Sequence, residues 1–425
     1  MAKCKTVSIE GVHALEILDS RGNPTLETTV TLSDGTSASA SVPSGASTGK
    51  YEATELRDTG DIRYGRMGVR TAVGHVNGDI ASVLVGMPAD GQWRADSAMI
   101  TLDGTENRSN LGANATLSVS LALARAAAVS SGIPLYRYLG GIAGCRMPIP
   151  MMHVLHGGAH ADNNVDIQEF MIVPVGAASF ADAMRMGAEI YHALKQILKS
   201  SGKNTAVGDE GGFAPQLASD EEAIAFLVGA IEKAGYKPGR DVKISLDAAA
   251  SEWYEDGQYH LPKRNVRLSG DDLIRYFSDL SEKYPLLSVE DGLGEEDADG
   301  WQNMTERLGD RLMLVGDDLF VTQEKRLADG IRHGRANAIL IKPNQVGTVS
   351  ETVRTILLAK RNGYKVIFSH RSGETEDSFL ADFAVALGAD FIKSGAPARS
   401  ERLAKYNRLL KIEEELFSPL GRMYG

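Results

Sequence analysis

In the second half of the chain, short apolar runs recur, and each stops at an ionisable residue. Lys243-Ile244-Ser245-Leu246 runs into Asp247, and Leu286–Val289 into Glu290 and Asp291. Leu312–Gly316 runs into Asp317 and Asp318, and Ala338–Ile341 into Lys342. Lys365–Phe368 runs into Ser369, His370 and Arg371, and Asp390–Ile392 into Lys393. The residues at 247, 290, 317, 342, 370 and 393 are 43, 27, 25, 28 and 23 positions apart. A strand, a helix and two loops fill such an interval. Runs that are apolar on both faces predict strands covered on both sides, hence a parallel sheet. The number of units predicts closure into a barrel.

The first part of the chain has a different rhythm. Val7–Leu18 and Thr25–Leu32 alternate and are rich in β-branched residues, with a turn over Asp19–Pro24 between them. Asp34-Gly35 is a hairpin signal leading to Ser37–Val42. A loop of small residues, Pro43–Gly49, follows, then helical patterns over Gly68–Val85 and Asn114–Ser131. Gly140–Pro150 reads as a link. The expected class is α/β: an N-terminal α+β domain over 1–137, then an α/β barrel over 138–425. Leu117–Val129 is the most apolar segment, but Arg125 interrupts it and it is too short to span a bilayer, so a buried or half-buried helix is expected.

Composition narrows the function. Of 425 residues, 43% are apolar and 24% charged, which fits a globular protein with a large core. Lys and Arg total 45 against 56 Asp and Glu, a net charge of −11, which argues against bulk nucleic-acid or anionic-membrane binding. Cys4 and Cys145 give no disulfide framework and point to reduced thiols in a cytoplasm. Lys3 and Lys5 precede no apolar stretch, so no signal peptide is expected.

In a parallel barrel the C-terminal ends of all strands face one mouth. Here they carry Asp247, Glu290, Asp317, Lys342, His370-Arg371 and Lys393. Three carboxylates without His or Cys suit Mg²⁺. Asp291 and Asp318 are adjacent alternatives, and strand alternation lets only one of each pair face the site. A Lys beside the metal is expected to have a lowered pKa and to serve as a base. Arg371 offers a fork for phosphate or carboxylate, and Ser372 a hydroxyl. The combination fits removal of a proton next to a carboxylate, with metal ions stabilising the charge that develops. An acid is expected from Asp166–Phe170 or from the Gly-rich turn Gly208–Phe213, which holds Glu210. His153, His156 and His160 have the spacing of a metal cluster, but a loop lining the pocket is the simpler expectation.

Longer strings extend this picture. They are Glu16–Pro24 (EILDSRGNP), Ser44–Gly49 (SGASTG), Gly157–Phe170, Gly208–Pro215 (GDEGGFAP), Ser288–Gly292 (SVEDG), Val315–Leu319 (VGDDL), Leu340–Gln345 (LIKPNQ), Ser369–Asp377 (SHRSGETED) and Gly395–Tyr406 (GAPARSERLAKY). In this order and over nearly the whole length, the chain resembles the enolases. The resemblance implies an irregular barrel whose first units depart from simple βα order. It implies reversible dehydration of 2-phospho-D-glycerate to phosphoenolpyruvate, with two Mg²⁺ per site. Lys342 then looks like the base, Glu210 like the acid, and Glu169 and Gln168 like their pocket partners. Asp247, Glu290 and Asp317 look like ligands of one Mg²⁺ and Ser47 of the second. His160, His370, Arg371, Ser372 and Lys393 look like substrate contacts, with Arg371 on the phosphate. The family forms homo-oligomers, dimers or octamers. Some members take second roles at the cell surface or in RNA-processing complexes, neither of which needs membrane insertion or a nucleic-acid partner for the reaction.

The sequence departs from the family at His153 and His156, where Asn is common, at Ala159 and Ala398, and in the stretches Thr101–Ala113 and Leu261–Ser269. Two rival readings share parts of the pattern: another acid–base enzyme of the superfamily, and a paralogue kept as a scaffold. The first lacks the SGASTG, GDEGGFAP and SHRSGETED strings. The second has no need of Lys342, Glu210, Glu169 and three carboxylates together.

Overall fold

The computed structural model describes residues 6–46, 49–158, 161 and 163–417. The chain opens with strands β1 (Ile9–Leu18), β2 (Pro24–Leu32) and β3 (Ser37–Ser41), followed by helices α1 (Arg70–His75), α2 (Ala81–Leu84), α3 (Gln92–Asp103), α4 (Ala113–Ser130) and α5 (Leu135–Gly140). Then come β4 (Ile149–His156), β5 (Glu169–Val173), α6 (Phe180–Ser200), α7 (Asp220–Lys233) and β6 (Lys243–Asp247). A small sheet follows, β7 (Tyr254–Glu255), β8 (Gln258–Leu261) and β9 (Val266–Leu268). The remainder alternates: α8 (Gly270–Lys283), β10 (Leu286–Glu290), α9 (Ala298–Leu308), β11 (Met313–Gly316), α10 (Glu324–Arg332), β12 (Ala338–Ile341), α11 (Val349–Arg361), β13 (Lys365–Ser369), α12 (Phe379–Ala386), β14 (Phe391–Lys393) and α13 (Ser400–Phe417).

The chain forms two compact units. The first takes in the chain up to Arg146 with Lys342–Leu357 and His370–Gly388. The second takes in Met147–Ile341, Leu358–Ser369 and the chain from Ala389 on.

In the first unit β1, β2 and β3 form an antiparallel sheet, with Leu26, Val30 and Leu32 fully buried. Nearly all of α4 is buried, as its Ala-rich sequence predicts, and no single helix among the described residues is long and apolar enough to cross a membrane. The helical pattern over Gly68–Val85 becomes α1 and α2, separated by a π turn at Val76–Ile80.

Arg125 breaks the apolar run of α4 for a visible reason. Its guanidinium donates to Asp377 through Nη1 at 2.8 Å and Nη2 at 2.7 Å, and the N–H groups of Ser41 and Phe379 donate to the same carboxylate. Burial pushes the Asp377 pKa up, but Arg125 and these donors outweigh it and hold it below its ordinary value. An acid lowered in this way contributes stability above its unfolded pKa, and that contribution is lost as pH falls through the folded value. Asp377→Ala is therefore expected to cost roughly 3 kcal/mol, since it removes the paired carboxylate of a half-buried guanidinium and leaves it the Ser39 carbonyl. Thermal melting at pH 7 should show the loss, and the gap to wild type should narrow on acidification below about pH 4.

The second unit is the barrel, closed in the order β10-β11-β12-β13-β14-β4-β5-β6. All six runs read from the sequence are strands in it, paired in parallel from β6 through β14. The exception is β5, which runs antiparallel to both β4 and β6. Met171, Val173, Val315, Ala338, Leu340 and Ile367 fill the interior, two residues apart wherever a strand supplies two. Each large aliphatic side chain so buried contributes about 2 kcal/mol. Helices begin where side chains cap them: Ser179 for α6, Ser219 for α7, and a capping box of Ser269 with Asp272 for α8. The Leu261–Ser269 stretch is ordered as the turn of a β8–β9 hairpin, strand β9 and the α8 cap.

Candidate active site

Strand register brings the charged ends to one level. Glu169 pairs with Asp247, Asp247 with Glu290, Glu290 with Val315, and Ser369 with Lys393. Because β5 is antiparallel, its first residue, Glu169, lies beside the last residue of β6. The Lys393 ammonium sits among three carboxylates, 2.8 Å from Glu169, 3.0 Å from Asp247 and 2.9 Å from Glu290. All four side chains are buried. A cavity of about 850 Å³ lies at the other end of these strands, by Ile149 and Val175, away from the charged ring.

The electrostatics follow from burial and crowding. Burial raises the Glu290 pKa well above its ordinary value, and Asp247 and Asp317 add to this against the pull of Lys393. Glu169 is raised for the same first reason. Burial disfavours the charged form of Lys393, but Asp247, Glu169 and Glu290 outweigh it, and its pKa lies well above the ordinary value. Three carboxylates thus surround the Lys393 ammonium and favour its charged form.

Glu290 and Asp291 separate cleanly. Asp291 has φ +39° and turns its carboxylate onto the backbone, accepting from the N–H of Asp317 at 3.0 Å and of Asp318 at 2.8 Å. It brackets the loop after β11, and Glu290 faces Lys393. Acid oxygens of Asp291, Asp317 and Asp318 lie within 4.8 Å of one another, a grouping able to hold a cation. Burial and then Asp318 and Asp317 push the Asp291 pKa well up.

Glu210 sits in a tightly held turn. The carbonyls of Gly208, Asp209, Glu210 and Gly211 accept from Arg399, Arg402, the Ala396 N–H and Tyr191. Gly211, at φ +90°, supplies the left-handed step. Gln168 is buried, its N–H on the Asp247 carbonyl at 3.0 Å. Gly157 and Gly158 pass so close to Asp166–Gln168 that a Cβ on Gly157 would run into the Ile167 carbonyl.

His153 and His156 lie on β4, not on a loop, and both are buried. His153 Nδ1 is 2.9 Å from Glu210 Oε2 and 3.7 Å from Glu169 Oε2. The sequence marks this histidine as a departure from the family but not its pairing with Glu210, 57 residues away. Burial disfavours its charged form, yet Glu169 and Glu210 prevail and its pKa is raised. Ser47 and His160 lie outside the described residues.

The first unit holds the other sequence candidates. Lys342 follows Ile341 of β12 directly, is half-buried, and is extended at φ −124°, ψ 100°, as the next residue, Pro343, requires. His370 is buried and Ser372 half-buried. Arg371 forks onto Glu52, at 2.8 and 3.3 Å, and reaches Asn344 at 3.3 Å. Glu52 was not singled out in the sequence, where it stands 319 residues from Arg371. Three of the recognised strings meet in this unit. Ser44 exchanges backbone hydrogen bonds with Gly373, the Ser20 N–H donates to the Glu374 carbonyl, and Ser44 Oγ donates to Asp19 at 2.5 Å.

A closed α/β barrel with one end ringed by buried carboxylates around a lysine, and with acid oxygens nearby able to hold a cation, has the layout of a barrel enzyme. Residues 144–421 match the family model described as "Enolase, C-terminal TIM barrel domain", and residues 9–139 match "Enolase, N-terminal domain". The "Enolase" of Nitratiruptor sp. is 59% identical over 413 residues, 97% of this chain and 98% of its own. That of Sulfurimonas denitrificans is 59% identical over 408 residues, 96% and 97% of the two chains. The chain belongs to the enolase family, hydro-lyases that dehydrate 2-phosphoglycerate to phosphoenolpyruvate in glycolysis.

Proposed function

We propose that the reaction here is reversible, depends on Mg²⁺, and is carried by Lys342 as base and Glu210 as acid. The observation that supports it is the ring Glu169–Lys393–Asp247–Glu290 with Glu210 beside Glu169, buried at one end of the barrel.

The donors fit the cation. Asp247, Glu290 and Asp317 offer only carboxylate oxygens, the choice of a hard divalent ion. Glu290 Oε2 is buried without a hydrogen-bond partner among the described residues, an acceptor that a cation would satisfy. Asp247, Glu290 and Asp317 would hold Mg²⁺, with Ser47 serving a second ion. Bound there, Mg²⁺ supplies charge that stabilises the anion formed when a carbon acid next to a carboxylate loses its proton.

The chain's own residues do the rest. Lys342 takes the C2 proton, and Glu210 gives a proton to the departing C3 hydroxyl. Arg371 grips the phosphate with the fork that now holds Glu52, and His370 and Ser372 add substrate contacts. Lys393 keeps the carboxylates together and offers its charge to the substrate. Gln168 and Glu169 hold the substrate hydroxyl side, and His160 is a further substrate contact.

The test is phosphoenolpyruvate formation from 2-phosphoglycerate by the purified chain, followed by ultraviolet absorbance, with Mg²⁺ and with chelator. Mg²⁺-dependent turnover is expected, and an inactive, folded wild type would overturn the proposal. The His156 ring packs against Gly208 and Gly212 and lies 3.9 Å from the His153 ring. Its role in this scheme is packing. His156→Asn is expected to keep kcat within about tenfold, a barrier change under roughly 1.4 kcal/mol, measured in the same assay.

A further inference from the structure

His153 is wholly buried on β4, and both of its ring nitrogens are committed. Nε2 lies 3.0 Å from the carbonyl oxygen of Leu155. A carbonyl only accepts, so Nε2 carries a hydrogen whenever that contact is kept. Nδ1 then decides the ring's charge. It faces Glu210 Oε2 at 2.9 Å, with Glu169 Oε2 at 3.7 Å. Two acidic side chains therefore converge on one nitrogen that has no other partner among the described residues.

Glu210 comes from the Gly-rich turn and Glu169 from β5. Lys393, from β14, is spent on Glu169, Asp247 and Glu290. His156, on the same strand as His153, presents its ring at a tilt of 54°. Of these facing groups the two carboxylates favour a charged ring, while Lys393 and burial oppose it. A charged ring donates Nδ1–H to Glu210 Oε2. A carboxyl proton on Glu210 can then sit only on Oε1, because Oε2 is already an acceptor.

We propose that His153 is a positioning residue for the acid of the reaction: it occupies Glu210 Oε2, confines the transferable proton to Oε1, and stabilises the carboxylate left after transfer. The proposal rests on Glu210 being that acid. In the step, the Oε1–H bond breaks and its proton joins the departing hydroxyl. The C3–O electron pair leaves on that oxygen, which departs as water. The ring stays charged throughout, and in the reverse direction water returns the proton to Oε1.

The test uses the full-length chain with His153→Asn and His153→Phe. Asn keeps a donor near Oε2 but no charge, and Phe keeps the volume alone. In ¹⁵N-histidine-labelled wild type at pH 7, the resonance that His153→Asn removes should report both ring nitrogens protonated. His153→Asn should lower kcat about 10- to 100-fold with KM within about twofold. The alkaline limb of its kcat–pH profile should move up by about one unit, because loss of the ring's charge makes the Glu210 proton harder to give up. His153→Phe should lose more than His153→Asn. A neutral ring at pH 7 overturns the proposal. So does a His153→Asn profile that superimposes on wild type with kcat within about twofold. That outcome with an active wild type spares the assignment of Glu210, whereas an inactive wild type removes both.

Discussion

Lys342→Ala is expected to lower kcat by about 10³-fold or more, with KM for 2-phosphoglycerate changed far less. Lys342 directly follows β12, and Pro343 keeps it extended. Its replacement by Ala removes a group that acts in the transition state and leaves the barrel core intact. Lys393 is not expected to take over, because its ammonium is already engaged by Glu169, Asp247 and Glu290. The two half-reactions separate the roles. Exchange of the C2 hydrogen with solvent deuterium should vanish in Lys342→Ala and persist in Glu210→Gln, which spares the base. Turnover within tenfold of wild type in Lys342→Ala would place the base elsewhere.

The second large effect belongs to Glu290. Glu290→Gln is expected to abolish the stabilisation that Mg²⁺ confers, together with turnover, while making the metal-free protein more heat-stable than wild type. The Glu290 carboxylate is buried beside Asp247, with one oxygen that has no hydrogen-bond partner among the described residues. Gln keeps an acceptor for Lys393 and removes a charge. Wild type should gain about 2.7 kcal/mol at a Mg²⁺ concentration 100-fold above Kd, read as a rise in Tm. The pH dependence has a definite sign. Glu290 and Asp291 have folded pKa values above their unfolded ones. Their protonation stabilises the metal-free fold fully below the ordinary value, and that contribution is lost as pH rises through the folded values. The Mg²⁺-induced rise in Tm should therefore be larger at pH 8 than at pH 5. A Glu290→Gln protein with the full wild-type rise would remove Glu290 from the metal ligands.

The strands that end in charged residues were legible because they are buried on both faces and so carry their signal in their own apolar runs. The direction of β5 was not, since Glu169–Val173 reads the same whichever way its neighbours run. Only the pairing with β4 and β6 settles it. At Glu290 and Asp291 alternation allowed one to face the site, and the left-handed step at Asp291 shows how the other is diverted to the backbone N–H groups of Asp317 and Asp318. Glu52 was missed, and His153 was noted without its partner, for one reason: each has meaning only beside a residue far along the chain, Arg371 and Glu210. A histidine expected on a pocket-lining loop shows its role only once the strand and the facing carboxylate are seen. That Lys342–Leu357 and His370–Gly388 fold with the first unit is likewise a property of contacts between distant stretches, which local patterns do not carry.

The closing seam of the barrel sets an order of assembly during synthesis. The seam is the pairing of β14, at Phe391–Lys393, with β4, at Ile149–Met151. A nascent chain can complete every other strand of the barrel before β14 leaves the ribosome, yet its sheet still has two open edges and its carboxylate cluster lacks the ammonium of Lys393. Ring closure and charge neutralisation then arrive with the same three residues, so the site forms at the end of translation and not progressively along the chain.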